Sequence, residues 1–97
     1  LTTTNVTLFL QTEENLRAAY ELKEQGNAFF QSREVGKALQ CYTRALEVTP
    51  AKHPDRATLH SNKAACFMSL REYDRVIKET TLALEVSIVR KDGRAVK

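Results

Sequence analysis

Small and apolar residues recur along most of this chain at the spacing of amphipathic helices. In the first such stretch, which we predict to end at about Ser32, Leu22, Gly26 and Phe29 share one narrow face when successive residues are placed about 100° apart. A glycine inside a helix costs about 1 kcal/mol relative to alanine. We therefore expect a second helix to approach Gly26 so closely that a side chain there would block it.

A second helix is predicted directly afterwards. Its apolar face consists of Ala38, Leu39, Tyr42, Ala45 and Leu46. It should end before Pro50, because proline disfavours helical geometry in the residue ahead of it. The connection at residues 32–36 is too short for anything but an antiparallel neighbour. The two helices should form a hairpin with small residues where they touch.

The beginning of the first helix is harder to place. Residues 1–11 are rich in threonine and show no helical period, which predicts an extended or flexible N-terminal arm. Thr12 and Asn15 are both candidates to cap the helix. The folded domain is therefore expected to span residues 12–90.

A second hairpin follows a longer connection. Pro54 and Asp55 predict a new helix start, with proline near the first turn and an acidic residue at the positive end of the helix dipole. Apolar and small residues then mark a third helix and a fourth that ends at about Val86: Leu59, Ala64, Phe67 and Leu70, then Tyr73, Val76, Ile77, Thr80 and Ala83.

The second hairpin repeats the first. The residues that correspond are Gly26, Phe29, Ala38, Tyr42 and Ala45 with Ala64, Phe67, Val76, Thr80 and Ala83, each pair 38 positions apart (64 minus 26, 83 minus 45). A constant offset at five positions indicates an internal repeat. The sequence thus predicts an all-α protein built from antiparallel helical hairpins.

The order of small, aromatic and closing proline residues in the first copy resembles the tetratricopeptide repeat (TPR), whose period is 34 residues. The resemblance covers a first repeat at about residues 19–52 and a second at about 57–90, and residues 91–97 form a tail or the start of a third. The second copy departs from the family pattern at Val76, Thr80 and Ile88, the last in place of the closing proline. The resemblance implies stacked TPR motifs, a fragment of a right-handed α-solenoid.

Within the family, the segments LKEQGN and HSNKAACF resemble the carboxylate-clamp domains of co-chaperones. That resemblance implies binding of a peptide's C-terminal carboxylate by Lys23 and Asn27 of repeat one, Asn62 of repeat two and Lys97 of repeat three. A terminal carboxylate needs several hydrogen-bond donors and a cation, which these residue types supply. The first helix of each hairpin would line the binding groove, with Tyr20, Phe30 and Ala65 beside the clamp.

Other interpretations of these residues stay open. Each of Lys23, Asn27 and Asn62, taken alone, is typical of an ordinary solvated helix surface. Phe30 is either a groove residue that contacts the ligand or a core residue against the neighbouring helix. Lys63 and Glu79 are expected to be solvated charges.

Composition and charge narrow the function classes. A chain of 97 residues forms one small domain with a modest core, which disfavours an enzyme with a deep cleft. The net charge of +3 permits an acidic partner, but the 15 basic residues are scattered among 12 acidic ones without the basic stripe of a nucleic-acid-binding protein. No apolar run is long enough to cross a membrane.

Candidate chemistry is sparse. Cys41 and Cys66 lack metal-ligand or nucleophile context, so we expect buried, reduced thiols in an intracellular protein. His53 and His60 are expected in a loop and on a helix surface, with no metal site, no cofactor and no catalytic residues.

The expected function is that of a cytoplasmic adaptor. The resemblance implies binding of the acidic C-terminal peptides of heat-shock chaperones of the 70- and 90-kilodalton classes, which end in Glu-Glu-Val-Asp. The alternatives are a structural scaffold that binds an internal segment of another protein, and a fragment that pairs with a second copy to cap its exposed end.

Overall fold

Four helices make up the fold, and the prediction of an all-α protein is confirmed. The computed structural model describes the backbone of residues 2–92 and the side chains of residues 6–88. The helices are α1 (Thr2–Gln31), α2 (Val35–Val48), α3 (Asp55–Ser69) and α4 (Tyr73–Asp92). Helix α1 packs against α2, α2 against α3, and α3 against α4. This is an array of antiparallel helical hairpins stacked as TPR motifs.

Both hairpins turn in the same way. At the end of α1, the Glu34 N–H donates to the Phe29 carbonyl at 2.8 Å while Arg33 takes a left-handed φ of 66°. At the end of α3, the corresponding Glu72 N–H donates to the Phe67 carbonyl at 2.9 Å. Arg71 there has a φ of 61°. These are Schellman-type helix ends, and their recurrence 38 residues apart shows the repeat in the backbone itself.

The core lies between the two hairpins, where small side chains let α1 and α2 approach each other and α3 closes over them. Its buried members are Ala19, Ala38, Tyr42, Ala45, Leu46, Leu59 and Cys66. The close contact predicted at Gly26 is confirmed, because a Cβ atom there would lie 2.6 Å from Cε1 of Tyr42. Gly26 is thus the position at which the Tyr42 ring meets the backbone of α1.

The predicted start of α1 at residue 12 or 15 is wrong, because the helix begins at Thr2 and residues 2–11 form its first turns rather than an extended arm. The exposed apolar side chains here are Val6, Leu8, Phe9 and Leu10, each between 51% and 62% exposed. A helical period appears in a sequence when one face is buried. Residues 6–11 are all exposed and bury no such face, so the pattern that marks helices elsewhere is missing.

The predicted end of the fourth helix near Val86 is also too early. Helix α4 continues to Asp92. Ile88 occupies the position that corresponds to Pro50, and without a proline nothing at that point stops the helix. The predicted helix start at Asp55 is confirmed.

Three predictions of exposed polar side chains are wrong. Glu79 is only 6% exposed and His60 only 8%, and the Lys63 side chain is only 15% exposed, although all three were expected at the surface. Glu79 Oε1 lies 2.7 Å from His60 Nδ1, and Glu79 Oε2 lies 3.5 Å from Lys63 Nζ. These side chains form a buried polar cluster between α3 and α4, which a helical wheel of either helix alone does not predict.

The prediction that Cys41 and Cys66 are buried is confirmed, and both thiols are free. Burial raises the pKa of the Cys66 thiol from 9.0 to about 11. His53 lies in the loop before α3, where its Nδ1 accepts the backbone N–H of Asp55. Across residues 2–92, no helix combines the length and apolar character needed to cross a membrane.

Candidate functional site

Two asparagines from different repeats meet on one face of the molecule. Asn27 lies on α1 and Asn62 on α3, 35 residues apart in sequence. The Asn62 Nδ2 atom donates to the Asn27 Oδ1 atom at 3.5 Å, and both side chains are half-buried. Stacking of the two hairpins therefore brings together the two amides that the resemblance assigned to one site.

Tyr42 of α2 lies beneath this pair. Its hydroxyl donates to Asn27 Oδ1 at 2.5 Å, and the residue is 2% exposed. Burial is the main cause that raises the pKa of the Tyr42 hydroxyl from 10.0 to about 12, and the nearby Cys66, Cys41 and Glu24 add to the effect. The hydroxyl is therefore protonated at neutral pH and can act as a donor.

Lys23 lies one helical turn before Asn27 on α1. Its Nζ atom is 5.0 Å from the centre of the Tyr20 ring, in a cation–π contact. Among the described residues, no carboxylate lies within ion-pair distance of Lys23. The ammonium group is thus held by an aromatic face that is itself 59% exposed, and its charge is not neutralised by an acidic neighbour.

The remaining predicted residues are placed differently. Phe30 is half-buried and packs against the core cluster, which agrees with its interpretation as a core residue. Ala65 is exposed on α3, three residues after Asn62. Lys97 lies outside the described residues.

The site offers donors and positive charge but no metal-binding group. Within the part of the chain that the structure describes, no cluster of three or more His, Cys, Asp or Glu side chains is arranged to hold a metal ion. Asn27, Asn62 and Lys23 supply neutral amide N–H groups and one ammonium, a combination suited to binding an anion.

One polar contact of the candidate site, the hydrogen bond from Tyr42 to Asn27, is not predicted by the sequence. The sequence predicts only a packing role for Tyr42, because an aromatic residue on an apolar helix face normally contributes its ring to the core. Its hydroxyl nevertheless donates to Asn27 Oδ1, the same atom that Asn62 Nδ2 contacts. The available signal was the order Gly26-Asn27, which places a polar residue directly beside the position where the ring must pass.

Comparison with curated proteins finds relatives that match most of the chain. The chain is 42% identical to protein PHOX1 of Arabidopsis thaliana over 74 residues. It is 38% identical to protein unc-45 homolog B of Xenopus tropicalis over 66 residues. It is 34% identical to the human mitochondrial import receptor subunit TOM70 over 74 residues. These matches cover 74%, 68% and 75% of this chain.

The chain spans only a small part of these relatives, 10%, 7% and 12% of their respective lengths. No protein-family profile matches it. The stacked hairpins and these likenesses together support a TPR-type helical-repeat domain.

Proposed function

We propose that this chain is a protein-interaction module that binds the acidic C-terminal peptide of a partner protein through a carboxylate clamp. The observation that carries the proposal is the meeting of Asn27 and Asn62, with the Lys23 ammonium one turn away on α1. Two repeats thereby supply amide donors to one place, and the first repeat adds the charge. In the proposal, Lys97 contributes a further cation.

The chemistry of the site favours a peptide's end over an internal segment. A terminal carboxylate carries a full charge and several acceptor lone pairs on two oxygens, which matches amide donors beside an ammonium. An internal segment offers mainly neutral carbonyls and amides, which do not need the charge of Lys23. Recognition of C-terminal carboxylates is a recurring mode of peptide binding.

The proposed partners are the heat-shock chaperones of the 70- and 90-kilodalton classes, whose tails end in Glu-Glu-Val-Asp. The proposal rests on the match of Lys23, Asn27 and Asn62 to the co-chaperone pattern. The name of the relative TOM70 describes an import receptor subunit, which agrees with a recognition role. In this proposal the module is a non-catalytic adaptor that works in the cytoplasm.

A fluorescence-anisotropy titration tests the proposal with a labelled peptide ending in Glu-Glu-Val-Asp and its C-amidated form. We expect amidation, and separately Lys23→Ala, to weaken binding about tenfold or more, since each removes a charge-assisted contact. Lys78→Ala, an exposed lysine on α4, is the matched control and should leave affinity unchanged. Equal affinity for both peptides, or no effect of Lys23→Ala, would reject the clamp.

A scaffold function is the second candidate, and exposed apolar side chains on α4 favour it. Ile77 is 66% exposed and Leu84 58% exposed. Such a surface suits an internal segment of another protein or a second copy of this chain. Under this alternative, Leu84→Glu would abolish association measured by sedimentation, while amidation of the test peptide would have no effect.

A further inference from the structure

Three residues of the first hairpin, Gly26, Asn27 and Tyr42, lie next to one another. The Tyr42 ring lies against α1 at Gly26, where a Cβ atom would come within 2.6 to 3.0 Å of three ring atoms. The hydroxyl at the far end of the ring reaches Asn27, the next residue along α1. The absence of a side chain at Gly26 therefore lets a buried residue contact a side chain of the candidate site.

The Tyr42 hydroxyl donates to the carbonyl oxygen of the Asn27 side-chain amide. The donor–acceptor distance is 2.5 Å. Bonds of the O–H···O kind span about 2.5–3.0 Å, whereas N–H···O bonds span about 2.7–3.2 Å. The distance agrees with an O–H···O bond to the carbonyl oxygen Oδ1.

The second contact of Asn27 agrees with this orientation. Asn62 Nδ2 also points its donor at Oδ1, at the outer limit of 3.5 Å. With Oδ1 engaged by two donors, the two N–H groups of Asn27 Nδ2 have no hydrogen-bond partner among the described residues. The amide nitrogen is the end that is left for a ligand.

We propose that Tyr42 is a positioning residue for the candidate site, because its hydroxyl holds Asn27 with the carbonyl oxygen inward and the N–H donors toward the ligand. This inference rests on the proposed function, since it assumes an anionic ligand that needs those donors. In the opposite orientation, Asn27 would present a carbonyl oxygen, which repels a carboxylate. By holding Asn27 in this orientation, the tyrosine favours peptide ends that carry a negative charge and hydrogen-bond acceptors.

The test uses Tyr42→Phe, which keeps the ring and removes only the hydroxyl. We expect it to weaken binding of the free-carboxylate peptide about fivefold to tenfold, as expected for one lost contact to a charged group. In the Asn27→Ala background the same substitution should change affinity by less than about twofold, because Tyr42 acts through Asn27. The unfolding midpoint of each variant, followed by circular dichroism, shows that the chain is folded at the assay temperature.

Two results would overturn the inference. The first is that Tyr42→Phe leaves binding of the free-carboxylate peptide unchanged. The second is that Tyr42→Phe lowers affinity equally in the wild-type and Asn27→Ala backgrounds. A merely structural tyrosine would give the second result.

A separate readout keeps this inference distinct from the proposed function. If the wild-type protein binds both peptides equally, the clamp fails, and the side-chain amide resonances of Asn27 decide the positioning role without any ligand. Loss of the hydroxyl that donates to Oδ1 should shift the side-chain amide signals of Asn27 in Tyr42→Phe relative to the wild type. Identical signals in the two proteins would overturn it.

Discussion

Neighbouring residues of α1 serve packing and the proposed peptide recognition. Gly26 is buried against Tyr42, while Asn27 is half-buried and accepts that same residue's hydroxyl. The sequence pattern predicts the first role, because a glycine inside an amphipathic helix needs a packing reason. It does not predict the bond from the Tyr42 hydroxyl to Asn27, because the spacing of apolar residues does not show where a hydroxyl group lies.

Gly26→Ala should destabilise the fold by about 1–3 kcal/mol, because the new methyl group overlaps the Tyr42 ring and outweighs the better helix propensity of alanine. Chemical unfolding followed by circular dichroism measures the change. Gly36→Ala is the matched control, since a Cβ atom there has no neighbour within 4 Å. The control should be neutral or stabilising by up to about 1 kcal/mol, and a Gly26→Ala variant as stable as this control would contradict the close contact.

At the scale of the helices, the ends were partly predictable. Proline marked the end of α2, and Asp55 marked the start of α3. The long first turns of α1 were not predictable, because exposed helix leaves no period in the sequence. In this part of α1, side chains form hydrogen bonds within the helix. The Thr12 hydroxyl, for example, donates to the Leu8 carbonyl at 3.0 Å.

The end of α2 is tied to α3 by one arginine. Arg56 Nη1 donates to the carbonyls of Leu46 and Thr49, both at 2.9 Å. These carbonyls belong to the C-terminal end of α2, where the helix dipole favours a positive charge. The guanidinium therefore fastens the second hairpin to the first.

Arg56→Ala should lower stability by about 1–3 kcal/mol, because it removes both charge-assisted bonds. Arg56→Lys should recover part of the loss, since the ammonium keeps the charge near the helix end but not the planar pair of donors. Arg44→Ala, at an exposed position of α2, is the control and should stay within about 0.5 kcal/mol. Equal unfolding midpoints for Arg56→Ala and Arg44→Ala would contradict this role.

The buried polar cluster of His60, Lys63 and Glu79 links α3 to α4. Glu79→Ala should cost about 3–5 kcal/mol, because it leaves His60 and Lys63 without their shared acceptor in a buried place. Glu85→Ala, exposed on the same helix, should change stability by less than about 0.5 kcal/mol. Urea unfolding of the two variants compares them, and a Glu79→Ala loss no larger than that of the control would show that the cluster does not hold the hairpin.

At the scale of the whole molecule, the core makes stability sensitive to alkaline pH. Burial raises the pKa of Cys66 to about 11 and that of Tyr42 to about 12, above their ordinary values of 9.0 and 10.0. The folded state therefore holds these protons more tightly than the unfolded state. The stability that this tighter proton binding gives is fully present below pH 9.0, the ordinary pKa of the thiol. It is lost as the pH rises through the pKa values of the folded state.

Urea midpoints measured between about pH 8 and pH 11 should fall as the pH rises. The double variant Tyr42→Phe, Cys66→Ala lacks both groups and should start less stable but decline less steeply. Parallel declines for the wild type and the double variant would show that other groups cause the alkaline loss.

The assembled site shows what the sequence pattern can and cannot predict. The internal repeat predicts that Asn27 and Asn62, which are 35 residues apart, lie on the first helices of adjacent hairpins, and the structure brings them together. The contact of Lys23 with Tyr20 and the hydroxyl bond of Tyr42 depend on side-chain directions across helices. No period along one helix encodes them.

The central claim is that Asn27 and Asn62 together bind a peptide's terminal carboxylate. The most direct measurement is the two-dimensional ¹H–¹⁵N spectrum of the side-chain amides during titration with a peptide ending in Glu-Glu-Val-Asp. We expect the side-chain amide signals of Asn27 and Asn62 to shift together during the titration. The signal of Gln11, near the start of α1, should stay in place. The C-amidated peptide should shift none of these signals. Binding of the free-carboxylate peptide that leaves both asparagine signals unmoved would contradict the central claim.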